Sequence, residues 1–272
     1  MGLQDIQRDN ISSHPSVEPW NWRFNNITFY AELDGCTGKH DTKENIHIAL
    51  NLILDAIPED DVIIYTDGSV GENNCNGGAG GFIKWPHNPD TQDFKIPCGR
   101  KCTSYRAELV ALREALSVIK DDDDTLPSEY NIWLFTDSES SIERLQRGPG
   151  AQVDSLAGEI WQLLSSISQH HKITLQWIPG HKDIIGNEAA DQLAKEGASM
   201  TQGDIALDFM TIKAAVKLHV KKKWRKAVLA REGIHSKAKV ANPPALPNHL
   251  SCKDETTIHQ LRTGASPLVR SC

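Results

Sequence analysis

The 272 residues predict an α/β fold, a mixed sheet flanked by helices. Three observations carry that expectation. Short apolar runs rich in β-branched and aromatic residues recur between positions 62 and 178. Segments with helical apolar spacing alternate with them. The order of three strands, helix, strand, two helices, strand and helix requires crossovers, which cover both faces of a sheet.

Each element follows from its letters. Residues 1–58 read as an irregular lead-in with Pro19-Trp20 and several Asn, broken by one amphipathic helix over 44–56. A buried-strand run, Val62-Ile63-Ile64-Tyr65, stops at Asp67-Gly68-Ser69. Gly77, Gly78, Gly80 and Gly81 read as a turn into a second strand at 82–85, and 93–98 makes a third. Positions 106–119 carry the strongest amphipathic helix, with Leu109, Leu112, Leu116 and Ile119 on its apolar face. A solvated acidic loop at 121–124 leads to a fourth strand, Ile132-Trp133-Leu134-Phe135, which runs into Asp137-Ser138. Helices at 138–146 and 153–170, a fifth strand at 173–178 broken by Pro179-Gly180, and a helix at 187–198 complete the unit. The plan is a lead-in over 1–58, one domain over 59–200, and a basic helical extension over 201–272.

The chain has 29 Lys+Arg against 36 Asp+Glu, a formal charge of −7, which argues against a generic nucleic-acid binder. The distribution tells a different story. Residues 59–199 hold 23 acidic and 12 basic side chains, whereas 212–239 hold ten basic and one acidic. That basic stretch suits either phosphate contact or packing through Ala214, Val216, Leu218, Val220 and Trp224. No run reaches the roughly 18 apolar residues of a membrane helix. The first ten residues lack a signal-peptide core, so an intracellular protein, cytoplasmic or nuclear and not secreted, is expected. The six cysteines form no C-x-x-C pair and are expected as reduced thiols.

Acids stand where a sheet of this class presents function. Asp67 ends the first strand, Asp137 ends the fourth, Glu108 lies one turn into the long helix, and Asp191 lies in the last helix. Converging carboxylates raise one another's pKa, and divalent cations relieve the repulsion. Hard oxygen ligands select Mg²⁺, or Mn²⁺ in its place, over zinc.

Five motifs in series carry a resemblance: Tyr65-Thr66-Asp67-Gly68-Ser69, Arg106-Ala107-Glu108-Leu109, Phe135-Thr136-Asp137-Ser138, Trp177-Ile178-Pro179-Gly180-His181 and Gly186-Asn187-Glu188-Ala189-Ala190-Asp191. Over about residues 60–199 the chain resembles the type 1 ribonuclease H family. The resemblance implies that family's fold, a five-stranded mixed sheet with three antiparallel strands first. It also implies cleavage of the RNA strand of RNA–DNA hybrids by two metal ions. Asp67, Glu108, Asp137 and Asp191 look like its four metal-binding acids, and His181 like the histidine that helps proton transfer or product release. Gly68, Ser69, Ser104, Asn74 and Asn187 look like substrate contacts, where 2′-hydroxyls tell RNA from DNA.

The segment 153–173 carries no basic insertion, which resembles the ribonuclease H domains of reverse transcriptases. Pro19-Trp20 and His259-Gln260-Leu261-Arg262-Thr263-Gly264 resemble the borders of that domain in non-LTR retrotransposon polyproteins. A reverse transcriptase module outside this chain is the partner this implies. Two other readings stay open: a remnant that binds hybrids without turnover, and another nuclease of the same fold.

Overall fold

A computed structural model describes residues 24–36, 41–72, 75–86, 88–122, 130–152, 154–207 and 209–230. The elements are β1 (Ile27–Tyr30), α1 (Lys43–Ala56), β2 (Val62–Gly71), β3 (Cys75–Lys84), β4 (Thr91–Lys101), α2 (Ser104–Asp122), β5 (Asn131–Thr136), α3 (Glu139–Gln146), α4 (Ser155–Ile167), β6 (Lys172–Trp177), α5 (Ile185–Ser199) and α6 (Phe209–Ala230). The chain divides within α6, between Ile212 and Lys213, into two units.

The sheet has six strands, not the five expected, in the order β1-β6-β5-β2-β3-β4. The addition is β1, from the segment read as irregular. It pairs parallel with β6, Ile27 opposite Ile173 through Tyr30 opposite Gln176. The pairs β6–β5 and β5–β2 are parallel, and β2–β3 and β3–β4 are antiparallel. The mixed sheet with its first three domain strands antiparallel is therefore present.

Alternate side chains leave a strand on opposite faces, and both faces are buried. Val62 and Ile64 join Ile132, Leu134 and the inner faces of α2 and α4, including Leu112, Leu116, Ile160 and Leu164. Tyr65 and Phe135 join a second cluster with Ile46, Ala49 and Leu50 of α1 and Ala190 of α5. Within that cluster the Tyr65 ring stacks on Phe135 at 4.9 Å and on Phe82 at 5.4 Å.

Local chemistry fixes the helix starts. Thr42 accepts from the Asn45 amide at 3.3 Å at the head of α1, and Asp154 accepts from the Ala157 amide at 2.8 Å at the head of α4. At α2, Thr103 Oγ1 accepts from the Arg106 amide at 3.2 Å.

The glycines expected as a turn lie inside β3 instead. A Cβ at Gly80 would sit 2.1 Å from the backbone nitrogen of Ala194, so α5 rests directly on bare strand backbone. Packing, not turn chemistry, is what those glycines serve. Among the described residues Cys36, Cys98 and Cys102 are free thiols. No described helix is long and apolar enough to cross a membrane.

Candidate active site

Four elements bring the acids together. Asp67 lies within β2, which continues to Gly71 rather than ending at the acid. Glu108 stands in the second turn of α2, Asp137 directly follows β5, and Asp191 sits midway along α5. Gly68 allows the first contact: a Cβ there would fall 2.3 Å from the Glu108 amide nitrogen, so α2 lies against β2 beside Asp67. The end of β5 is fastened to β6, since Trp177 Nε1 donates to the Asp137 carbonyl at 3.1 Å and the Ile178 amide donates to the Thr136 carbonyl at 3.0 Å. On its other side the Asp137 carboxylate lies against the backbone of Gly180.

Asp67, Glu108 and Asp137 each offer a carboxylate oxygen within 4.8 Å of the others. Asp67 and Glu108 are buried at 6% and 7% exposure. Burial pushes the Asp67 pKa up to about 7, with the charges of Asp137 and Asp191 adding to it, while the backbone of Gly68 acts the other way. Burial also holds Glu108 well above the usual carboxylate range, again reinforced by Asp67 and Asp137.

Asp191 stands slightly apart from the three. Its carboxylate reaches Asp67, whose protonated form it favours through charge and a hydrogen bond. It also accepts an ion pair from Lys195 one turn along α5. Lys195 went unnoticed in the sequence, although the i, i+4 spacing was there to be read.

The donor set suits a hard divalent cation. All ligand atoms are carboxylate oxygens. Glu108 Oε2 is buried without a hydrogen-bond partner among the described residues, the kind of orphaned acceptor that an ion satisfies. An open cleft of about 490 Å³ borders the acids, lined by Ser104, Tyr105, Glu108, Asp137 and the first two turns of α3, including Glu139 and Glu143.

The remaining candidates are placed less uniformly. His181 is exposed, in the left-handed region at φ 56°, one residue beyond Gly180. Gly68 and Ser69 are half-buried beside Asp67, and Ser104 is exposed at the cleft. Asn187 is only 2% exposed, and its Oδ1 lacks a partner among the described residues. Asn74 lies outside the described residues, as do Pro19-Trp20 and 259–264.

A family model described as RNase H matches residues 59–199. Ribonuclease H of Orientia tsutsugamushi (strain Boryong) is 31% identical over 152 residues, covering 50% of this chain and 81% of that protein. Ribonuclease H of Brucella ovis is 33% identical over 144 residues, covering 49% and 86% respectively. A solved ribonuclease H1 isolated from compost by a metagenomic approach shares 25% identity over 52% of this chain and 96% of that one, at a TM-score of 0.41. With its acids in series along the matched span, the chain belongs to the ribonuclease H family.

Proposed function

We propose that the chain hydrolyses the RNA strand of RNA–DNA hybrids with divalent cations held by Asp67, Glu108, Asp137 and Asp191. The observation that carries this is the approach of three carboxylates to within 4.8 Å of one another, two of them buried. Two bound Mg²⁺ ions, or Mn²⁺ in their place, would activate water and stabilise the leaving 3′-oxygen. Around them the chain's own groups bind and orient. Asp67 and Asp137 anchor the site from adjacent strands, and Glu108 and Asp191 complete it from the helices. His181, next to the Gly180 that the Asp137 carboxylate touches, assists proton transfer or product release. Ser69 and Ser104, with the Gly68 backbone, Asn74 and Asn187, contact the hybrid and read its 2′-hydroxyls.

The catalytic unit is 59–200, flanked by 1–58 and by the basic 201–272. The flanking letters and the missing basic insertion support a retrotransposon origin and a reverse transcriptase module as partner in an intracellular setting.

Cleavage of a labelled hybrid, duplex RNA and duplex DNA in Mg²⁺, with EDTA controls, tests the reading. The hybrid alone should be cut, and Asp137→Asn should abolish cutting while circular dichroism stays unchanged. Undiminished cleavage by that variant would overturn the assignment.

A further inference from the structure

The loop between β6 and α5 carries His181, and residues outside the family match hold it. His181 and Asp183 both adopt positive φ, 56° and 60°, a region uncommon for residues with side chains. Between them, the Lys182 carbonyl lies 2.7 Å from Nε2 of His47. A carbonyl only accepts, so Nε2 of His47 carries the proton and donates it. Lys182 Nζ in turn donates to the Asp41 carbonyl at 3.2 Å, and Asp183 forms an ion pair with Lys43. All three holding residues stand at the head of α1 or just before it.

That head is itself anchored. Ile46, Ala49 and Leu50 of α1 are buried in the same cluster as Trp177, Ile178 and Ile184, which bracket the loop on both sides. A hydrophobic base thus fixes α1, and polar contacts from its first turns reach the loop backbone. The Lys43–Asp183 pair is exposed and screened. His47 is half-buried and bonds the peptide between the two left-handed residues.

We propose that the head of α1 positions the His181 loop for turnover, with His47 as the positioning residue. The proposal rests on the catalytic reading of His181 given above. Because His47 grips backbone, its effect passes through the loop's conformation and not through contact with the hybrid.

Steady-state hybrid cleavage by the full chain tests it in a double-variant cycle. His47→Ala should lower kcat about 5–20-fold, short of the roughly 100-fold of a full 1 Å displacement because the Lys182 and Asp183 contacts remain, and leave KM within about twofold. His47→Gln, whose amide can reach the same carbonyl, should restore most of the rate. In a His181→Ala background, His47→Ala should cost nothing further. Amide exchange at Lys182 and Asp183 should accelerate in His47→Ala and not in His47→Gln. An unchanged kcat, or an equal loss in both backgrounds, would overturn the positioning role. An unchanged rate in His181→Ala alone would overturn the reading of His181, and the proposal with it, before His47 is altered.

Discussion

The carboxylate of Asp137 rests on the bare backbone of Gly180: a Cβ there would lie 2.2 Å from Oδ2. The acid that follows β5 and the loop that follows β6 thus share one contact surface. Gly180→Ala should displace one of them, and a shift near 1 Å is worth about 100-fold in rate. A loss of about 10–100-fold in hybrid cleavage, with thermal unfolding changed little, is expected. Full activity in the alanine variant would mean that the carboxylate has freedom to move.

Asp67 sets a pH dependence in the metal-free protein. Its pKa in the fold, about 7, lies above the ordinary value of 3.8. Below pH 4 the folded and unfolded forms both hold the proton, and its contribution is fully present. As pH rises toward and through 7, the fold must ionise Asp67 beside Asp137 and Asp191, and stability is lost. Asp67→Asn removes that loss, so in EDTA the variant should gain on the wild type between pH 5 and 8, by on the order of 2–3 kcal/mol. Added Mg²⁺ should stabilise the wild type far more than the variant. Urea unfolding across that range is the measurement, and a difference independent of pH would sink the prediction.

Lys195 is ion-paired with Asp191, so on the proposed reading it would compete with a cation for that carboxylate. The pair raises the Lys195 pKa through its hydrogen bond and charge. Lys195→Gln should tighten Mg²⁺ or Mn²⁺ binding about 3–5-fold, the worth of one screened contact of roughly 1 kcal/mol. Fold stability should change by less than about 0.5 kcal/mol, as for other i, i+4 pairs. Calorimetric titration decides, and an unchanged affinity would show that Asp191 takes no part in holding the ion.

The basic helix makes its own prediction. Lys213, Lys217, Lys221, Lys222, Lys223, Arg225 and Lys226 are exposed on α6. Val216, Val220 and Trp224, through which the helix would pack on one of its two readings, are 40%, 58% and 52% exposed. If the helix contacts phosphates, changing Lys213, Lys217, Lys221 and Lys222 to Gln should flatten the salt dependence of hybrid binding by about 3 in log–log slope. Fluorescence anisotropy in an Asp67→Asn background with EDTA measures it, and an unaltered slope would exclude the helix from binding.

The legible part of the molecule is the part whose signal is local. Strong runs such as Ile132–Phe135 and the apolar face of α2 announce their elements without outside help. The ordered acids could be read because each sits in a short run of distinctive neighbours. What escaped notice depends on partners distant in sequence. β1 is only four residues long, too short for its alternation of Ile27 and Phe29 inward with Thr28 and Tyr30 outward to stand out, and it exists because β6 pairs with it. Gly78 and Gly80 carry turn letters, yet the backbone of α5 rests on them, so a strand results. Nothing in the helical spacing of 44–56 singles out His47, and only the fold puts the Lys182 carbonyl in front of it. Burial of Asn187 was equally invisible, because its helix signature says nothing about which face turns inward.

Strand β1 has a consequence for how the chain keeps to itself. It occupies the outer side of β6, whose amides and carbonyls would otherwise form an open row. Such a row is a template for another chain's strand. A polypeptide beginning at residue 59 would keep every acid of the site and lose that cover. With β1 in place the edge is a four-residue strand in place of the six-residue β6, so the shortened polypeptide should associate edge to edge more readily than the full chain as its concentration rises.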